Sequence, residues 1–203
     1  SATLPHEPTN STSPVITAVA AENTITGNTS SGIYVSASSP TIQSNTITGN
    51  TQYGISLTGA GTASIFKNRI QSNARGVSCT SSANPVIGGS LANANDIFGN
   101  TAYGVENTTT TFTVNAKYNW WGHRTGPFHT TTNPNGQGNR VSDYVDYGNY
   151  LGTSAFDTSP NLTITPLVND FGSAPVGGSI TSTFTATNNG TANLVIGTAF
   201  VSG

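Results

Sequence analysis

Any chemistry in this chain must come from very few side chains, because its 203 residues include eight acids, six lysines and arginines, three histidines, one cysteine and no methionine. Glycoside hydrolysis needs two carboxyl groups about 5 to 9.5 Å apart, which on a repeating scaffold means acids in register on one or two turns. Glu22, Asp96 and Glu106 occupy three different positions of the repeat and form no single column. Asp143 and Asp146 read as a solvated pair. Elimination from a sugar acid wants a neutralising cation and a basic side chain. Lys67, Arg69 and Arg75 could stand on neighbouring rungs, but the sequence brings no acids to them. His123 and His129 flank Gly126-Pro127, and a metal site there would need a further ligand such as Asp143. The residues thus lead us to expect no catalytic, metal or cofactor site.

The elements that would position these groups follow from a phrase: Asn, any residue, Ile, two residues, Asn. It runs Asn23–Asn28, Asn45–Asn50, Asn68–Asn73 and Asn95–Asn100, with a degenerate fifth copy at Asn119. A fixed period of this kind marks a solenoid whose turns bury apolar side chains only against neighbouring turns. Three short apolar stretches recur per turn. The first carries Ile25, Ile47, Ile70, Ile97 and Trp121, and the second pairs Ile33 with Val35, Ile55 with Leu57 and Val77 with Cys79, ending in Val105. The third carries Val15 or Ile16, Ile42, Ile65, Val86 or Ile87, and Val114.

Alternation with Tyr34, Ser56, Ser78 and Glu106 has the period of a half-buried strand. Stacking would place Asn23, Asn45, Asn68 and Asn95 in one amide ladder and Asn28, Asn50, Asn73 and Asn100 in another. Gly32, Gly54, Gly76 and Gly104 recur where the second strand begins, which predicts positive φ or close backbone approach. Cys79, in register with Val35 and Leu57, reads as a small buried hydrophobe. Trp121 would cover the open end of the core, leaving Trp120 at the rim.

Composition excludes several classes. With 7% charged residues and a net charge of -2, the chain lacks the positive field that nucleic acid or an anionic membrane would need. No apolar run approaches the ~20 residues of a membrane-spanning helix. The first residue is not methionine, which suggests a mature or excised product. Sequons begin at Asn10, Asn28, Asn107, Asn161 and Asn189, giving candidate glycosylation sites.

These repeats, from about Pro14 to Leu151, resemble the right-handed parallel β-helices of the pectate-lyase-like superfamily. The ending is the most specific part: Ala116–Gly122 (A-K-Y-N-W-W-G), Gly126-Pro127 and Asn133–Val145 are similar to that family's terminal turn. The resemblance implies a secreted scaffold, here without the family's catalytic acids.

Beyond a linker at 152–160 the pattern changes. Residues 161–203, with Asp170-Phe171-Gly172 and Asn188-Asn189-Gly190-Thr191, resemble the opening half of an Ig-like sandwich of the choice-of-anchor or ASPM-SPD-Hydin type. Alternation predicts strands over Ile180–Thr187 and Asn193–Val201.

The expected fold is all-β: an N-terminal segment over 1–13, a right-handed parallel β-helix of three strands per turn and about five turns over 14–151, and a partial Ig-like sandwich over 161–203. Both ends read as unfinished β-edges, to be completed by another copy or by the rest of a longer chain. The expected role is a non-catalytic extracellular or cell-surface structural module, self-assembling into a filament by strand addition. The alternative is a carbohydrate-binding or polysaccharide-degrading β-helix, with Tyr53, Tyr103 and Trp120 as candidate glycan contacts.

Overall fold

The computed structural model describes residues 22–157, 162–168, 170, 172–173 and 176–188. The chain divides into a first unit, Ser1–Ala155, and a second, Phe156–Gly203. The N-terminal segment, the first rung's Val15 and Ile16, the strand at Asn193–Val201 and the sequons at Asn10, Asn161 and Asn189 lie outside the described residues.

The first unit winds through β1 (Thr24–Thr26), β2 (Ser31–Ser36), β3 (Thr41–Gln43), β4 (Thr46–Thr48), β5 (Tyr53–Thr58) and β6 (Ser64–Phe66). It continues through β7 (Arg69–Gln71), β8 (Arg75–Thr80), β9 (Val86–Ile87), β10 (Asp96–Phe98), β11 (Tyr103–Asn107), β12 (Val114–Asn115) and β13 (Val145–Asp146). The strands form three parallel sheets, ordered β1-β4-β7-β10, β2-β5-β8-β11 and β3-β6-β9-β12-β13. This is an all-β solenoid of about three turns. The fifth copy at Asn119 forms no strand and contributes an isolated bridge, Asp96 to Trp120.

Register explains the repeat. Ile25, Ile47, Ile70 and Ile97 stand opposite one another along the first sheet, and Ile47, Ile70 and Ile97 are wholly buried. Each such side chain stabilises the coil by about 1.5–3 kcal/mol relative to exposure. Val35, Leu57 and Cys79 form a second column. In the third sheet Ile42, Ile65 and Ile87 align. Because Asn115 pairs with Val86, Ala116 rather than Val114 follows in that column. Ala116 stands three residues before Asn119, as Ile42 and Ile65 stand before Asn45 and Asn68, so counting back from the following asparagine gives this register.

Gly32, Gly54 and Gly76 serve close approach and do not adopt positive φ; a Cβ on Gly54 would lie 2.6 Å from the Gly76 carbonyl oxygen. Positive φ falls elsewhere, on the residue before a ladder asparagine: Ser44 (56°), Lys67 (56°), Ser72 (56°), Tyr118 (62°), Gly49 (65°) and Gly99 (64°). This left-handed step turns most of these corners, Ala94 before Asn95 at φ -55° being an exception, and it explains the glycine in T-G-N and F-G-N.

In the second unit β14 (Leu162–Thr165) pairs antiparallel with β15 (Thr185–Asn188), from Leu162 opposite Asn188 to Thr165 opposite Thr185. The strand expected over Ile180–Thr187 is therefore shorter and pairs backward with β14. Alternation marks a strand without naming its partner.

Candidate functional site

The two asparagine ladders occupy successive corners. Asn45 Nδ2 donates to Asn68 Oδ1 at 3.1 Å, Asn68 Nδ2 to Asn95 Oδ1 at 3.1 Å and Asn95 Nδ2 to Asn119 Oδ1 at 2.9 Å. In the second ladder the bonds run Asn28 to Asn50, Asn50 to Asn73, Asn73 to Asn100 and Asn100 to Asn139, between 2.8 and 3.1 Å. Each Oδ1 also takes the backbone N–H of the preceding copy, as Asn73 Oδ1 does from Asn50 N at 3.0 Å. Asn119 and Asn139 end the ladders, and their own amides turn back to the Ile87 and Asn100 carbonyls. Asn139 carries no repeat phrase and is delivered by the terminal wrap, so the sequence reading missed it.

Trp121 is fully buried in the core cluster. Its ring lies against Gly104, where a Cβ would meet Cζ3 at 3.2 Å. Trp120 aligns with Asp96 on the first sheet. Tyr53, Arg75 and Tyr103 share a column of the second sheet, so the structure groups the two tyrosines and leaves Trp120 apart. The tyrosine rings already carry cations: Arg75 lies 5.7 Å over Tyr53, and Arg140 lies 4.9 Å over Tyr103.

The acids have partners that the sequence reading did not find. Asp96 accepts from Ser154 Oγ and, at 2.8 Å, from Ala155 N, with Arg69 at 3.9 Å. Burial pushes its pKa up, and the hydrogen bonds from Ser154 and Ala155 and the Arg69 charge pull the other way. Glu106 pairs with Arg75 at 2.6 Å. Asp143 and Asp146 are not one solvated pair: Asp143 faces His129 Nε2 at 3.2 Å, and Asp146 meets Lys117 at 3.0 Å. Arg69 and Arg75 lie on different sheets of one turn, which separates them.

The sequons at Asn28 and Asn107 have committed amides. Asn28 Nδ2 donates to Asn50 Oδ1, and the buried Asn107 Nδ2 donates to the Phe112 and Tyr144 carbonyls, both at 2.9 Å. A glycan on Asn107 would break one of its two buried bonds, whereas Asn28 is half-buried and uses one of its two N–H groups.

Among possible metal donors, Cys79 is fully buried, and burial pushes its thiol up to about 12. His123 Nδ1 bonds Thr125 Oγ1 at 2.9 Å. His129 Nδ1 faces the backbone N–H groups of Thr131 and Thr132, at 3.3 and 3.2 Å, which leaves Nε2 as the protonated nitrogen directed at Asp143. Among the described residues no three of His, Cys, Asp and Glu gather where they could hold one ion.

No curated protein and no solved structure matches the chain. A family model described as "Periplasmic copper-binding protein (NosD)" matches residues 10–156. That span takes in the asparagine ladders, the three parallel sheets and the terminal wrap, and the chain belongs to the NosD family.

Proposed function

We propose that the chain is a non-catalytic structural module working outside the cytoplasm, in the periplasm or at the cell surface. Its β-helix acts as a rigid spacer, and it assembles end to end by strand addition. The observation that carries the non-catalytic part is the fate of the carboxylates: Asp96, Glu106, Asp143 and Asp146 are each tied to a neighbour within the solenoid. A hydrolytic pair needs one carboxyl held as an acid beside another that is open to the reacting centre. The family's described location supports an extracytoplasmic place. The Ig-like character of residues 161–203 belongs to the same proposal, with β14 and β15 as its first pair.

The family description also names copper. Copper favours thiolate, thioether and imidazole ligands. This chain has no methionine, its one thiol is sealed in the core, and the ring nitrogens described above are turned to threonines and to Asp143. Among the described residues these donors do not gather into a copper site.

Incubation with pectin, alginate and neutral glycans tests the absence of catalysis, because new reducing ends or unsaturated products would overturn it. Electron microscopy with sedimentation tests assembly. Fibres or concentration-dependent oligomers are expected, and dispersed monomers at all concentrations would refute it. Carbohydrate binding is the second reading, favoured by the shared column of Tyr53 and Tyr103.

A further inference from the structure

The terminal wrap holds an opening of about 400 Å³, lined in part by Thr113, His129, Thr132, Asp143, Tyr144 and Tyr147. It lies apart from the Tyr53–Tyr103 column and none of its residues belongs to an asparagine ladder. It is a shallow depression open to solvent, with room for one ring resting on the surface and not for an enclosed ligand. We propose that this opening binds one neutral, hydroxyl-rich ring, such as a pyranose unit of a glycan.

Four features of the opening support that choice. First, Asp143 is a pre-oriented acceptor. Its side chain is 77% exposed, yet the His129 Nε2–H, on a ring only 7% exposed, fixes one of its oxygens at 3.2 Å. The two threonine N–H groups on Nδ1 hold that imidazole in its tautomer and orientation. A carboxylate held this way presents its remaining lone pairs to neighbouring hydroxyls of a ligand, the stronger charge-assisted kind of hydrogen bond.

Second, the hydroxyls of Thr132 and Tyr147 are bonded to each other. Thr132 Oγ1 also donates to His129 Nδ1 at 2.9 Å, so Tyr147 donates to Thr132 and the pair offers its remaining lone pairs to a ligand hydroxyl. Third, Tyr144 is 49% exposed although large. Its backbone sits at φ 57° while its carbonyl accepts from Val114 N and Asn107 Nδ2. Those bonds hold the residue in a conformation that tyrosine disfavours and leave an aromatic face for the C–H side of a sugar.

Fourth, no lysine or arginine lines the opening, so an acidic ligand would meet only the Asp143 charge. A quaternary amine would need converging ring faces, whereas Tyr147 packs against the core and stands 6.0 Å from the His129 ring. Hydroxyl groups match what remains.

The test is NMR titration of the full isotope-labelled chain with methyl glycosides of glucose, galactose and mannose, and with choline and galacturonate as class controls. Saturable shifts at Thr131, Thr132, Asp143 and Tyr144 are expected with at least one neutral glycoside, at the millimolar affinity usual for a single ring. Asp143→Asn should weaken binding at least tenfold, and Tyr144→Ala about fivefold. Tyr144→Ala removes an exposed ring and keeps the test open if Asp143→Asn unfolds the wrap. Three results would overturn the proposal: no saturable shift with any neutral glycoside, preference for choline or galacturonate, or shifts confined to the Tyr53–Tyr103 column. That last result would leave the carbohydrate-binding reading standing and remove only this site. Glycan binding here without any assembly would do the reverse, sparing the pocket and sinking the filament.

Discussion

Replacing Asn73 tests whether the ladders hold the solenoid together. Its side chain is 1% exposed. Oδ1 accepts from Asn50 N and Asn50 Nδ2, both at 3.0 Å, while Nδ2 faces the Ile47 carbonyl at 3.2 Å, the Gln71 carbonyl at 2.9 Å and Asn100 Oδ1 at 3.1 Å. Asn73→Leu strands the Asn50 N–H and takes a donor from two carbonyls. At about 1–3 kcal/mol per stranded buried group, partly relieved by relaxation, the cost is about 3–6 kcal/mol. That is much of the ~5–15 kcal/mol that holds a domain together.

Asn73→Asp keeps the shape and the acceptor but sets a carboxylate oxygen against those same three oxygens. It should cost more than Leu at neutral pH. Since the folded state then binds a proton more tightly than the unfolded chain, whose carboxyl titrates near ~3.9, that variant should recover stability as pH falls. Asn28 is the comparison. Its side-chain amide makes one ladder bond, to Asn50 Oδ1, among the described residues, so Asn28→Ala should cost only ~1 kcal/mol. Guanidinium midpoints and slopes, read by far-ultraviolet circular dichroism, measure all three. An Asn73→Asp midpoint equal to that of the parent, or an Asn28→Ala loss as large as that of Asn73→Leu, would refute the ladder as the source of cohesion.

Ser72 stands exposed at φ 56° where other copies place glycine, so Ser72→Gly should stabilise by ~0.5–1 kcal/mol, the left-handed strain less the entropy that glycine costs; a lower denaturation midpoint would contradict this. Burial raises the Asp96 pKa, so the stability this group contributes is greatest below the unfolded carboxyl pKa and declines as pH rises through the folded one. Asp96→Asn, which can still accept from Ala155 N, should flatten that decline, and urea midpoints from acid to neutral pH will show whether the two curves diverge. Copper added as Cu(II), or as Cu(I) under reductant, should wash off on desalting; one equivalent retained per chain by elemental analysis would overturn the reading of the donors.

The sequence revealed the solenoid because in-register parallel stacking forces the same residue type into each column, so the Asn-x-Ile-x-x-Asn phrase is nearly a transcript of one corner and one strand. The same column logic places Arg69 beside Asp96, since each follows the first asparagine of its copy, although a pattern of paired carboxylates does not include such an ion pair. Asn139 was not legible, because the wrap brings it 39 residues in sequence from Asn100 without any repeat to announce it. His129, Asp143 and Tyr144 were equally hidden: their meeting depends on how β13 returns to β12, a long-range event that local pattern does not encode. In the second unit, apolar alternation located β15 roughly but could not choose β14 as its partner.

The ladders have a direction. Up to Asn95 and Asn100 each ladder asparagine sends one side-chain N–H to its C-terminal neighbour, beside strands that run parallel, and only the terminal Asn119 and Asn139 turn wholly back. A surface that continues this order must therefore present acceptors to one end and donors to the other. Two copies related by a two-fold axis would bring like ends together, donor against donor or acceptor against acceptor. Only translation along the axis, head to tail, preserves the sense of the amides, and such heterologous contacts do not close on themselves unless a rotation closes a ring. In symmetry terms the asparagine rows act as an arrow, and the end-to-end assembly proposed above would have to keep its sense.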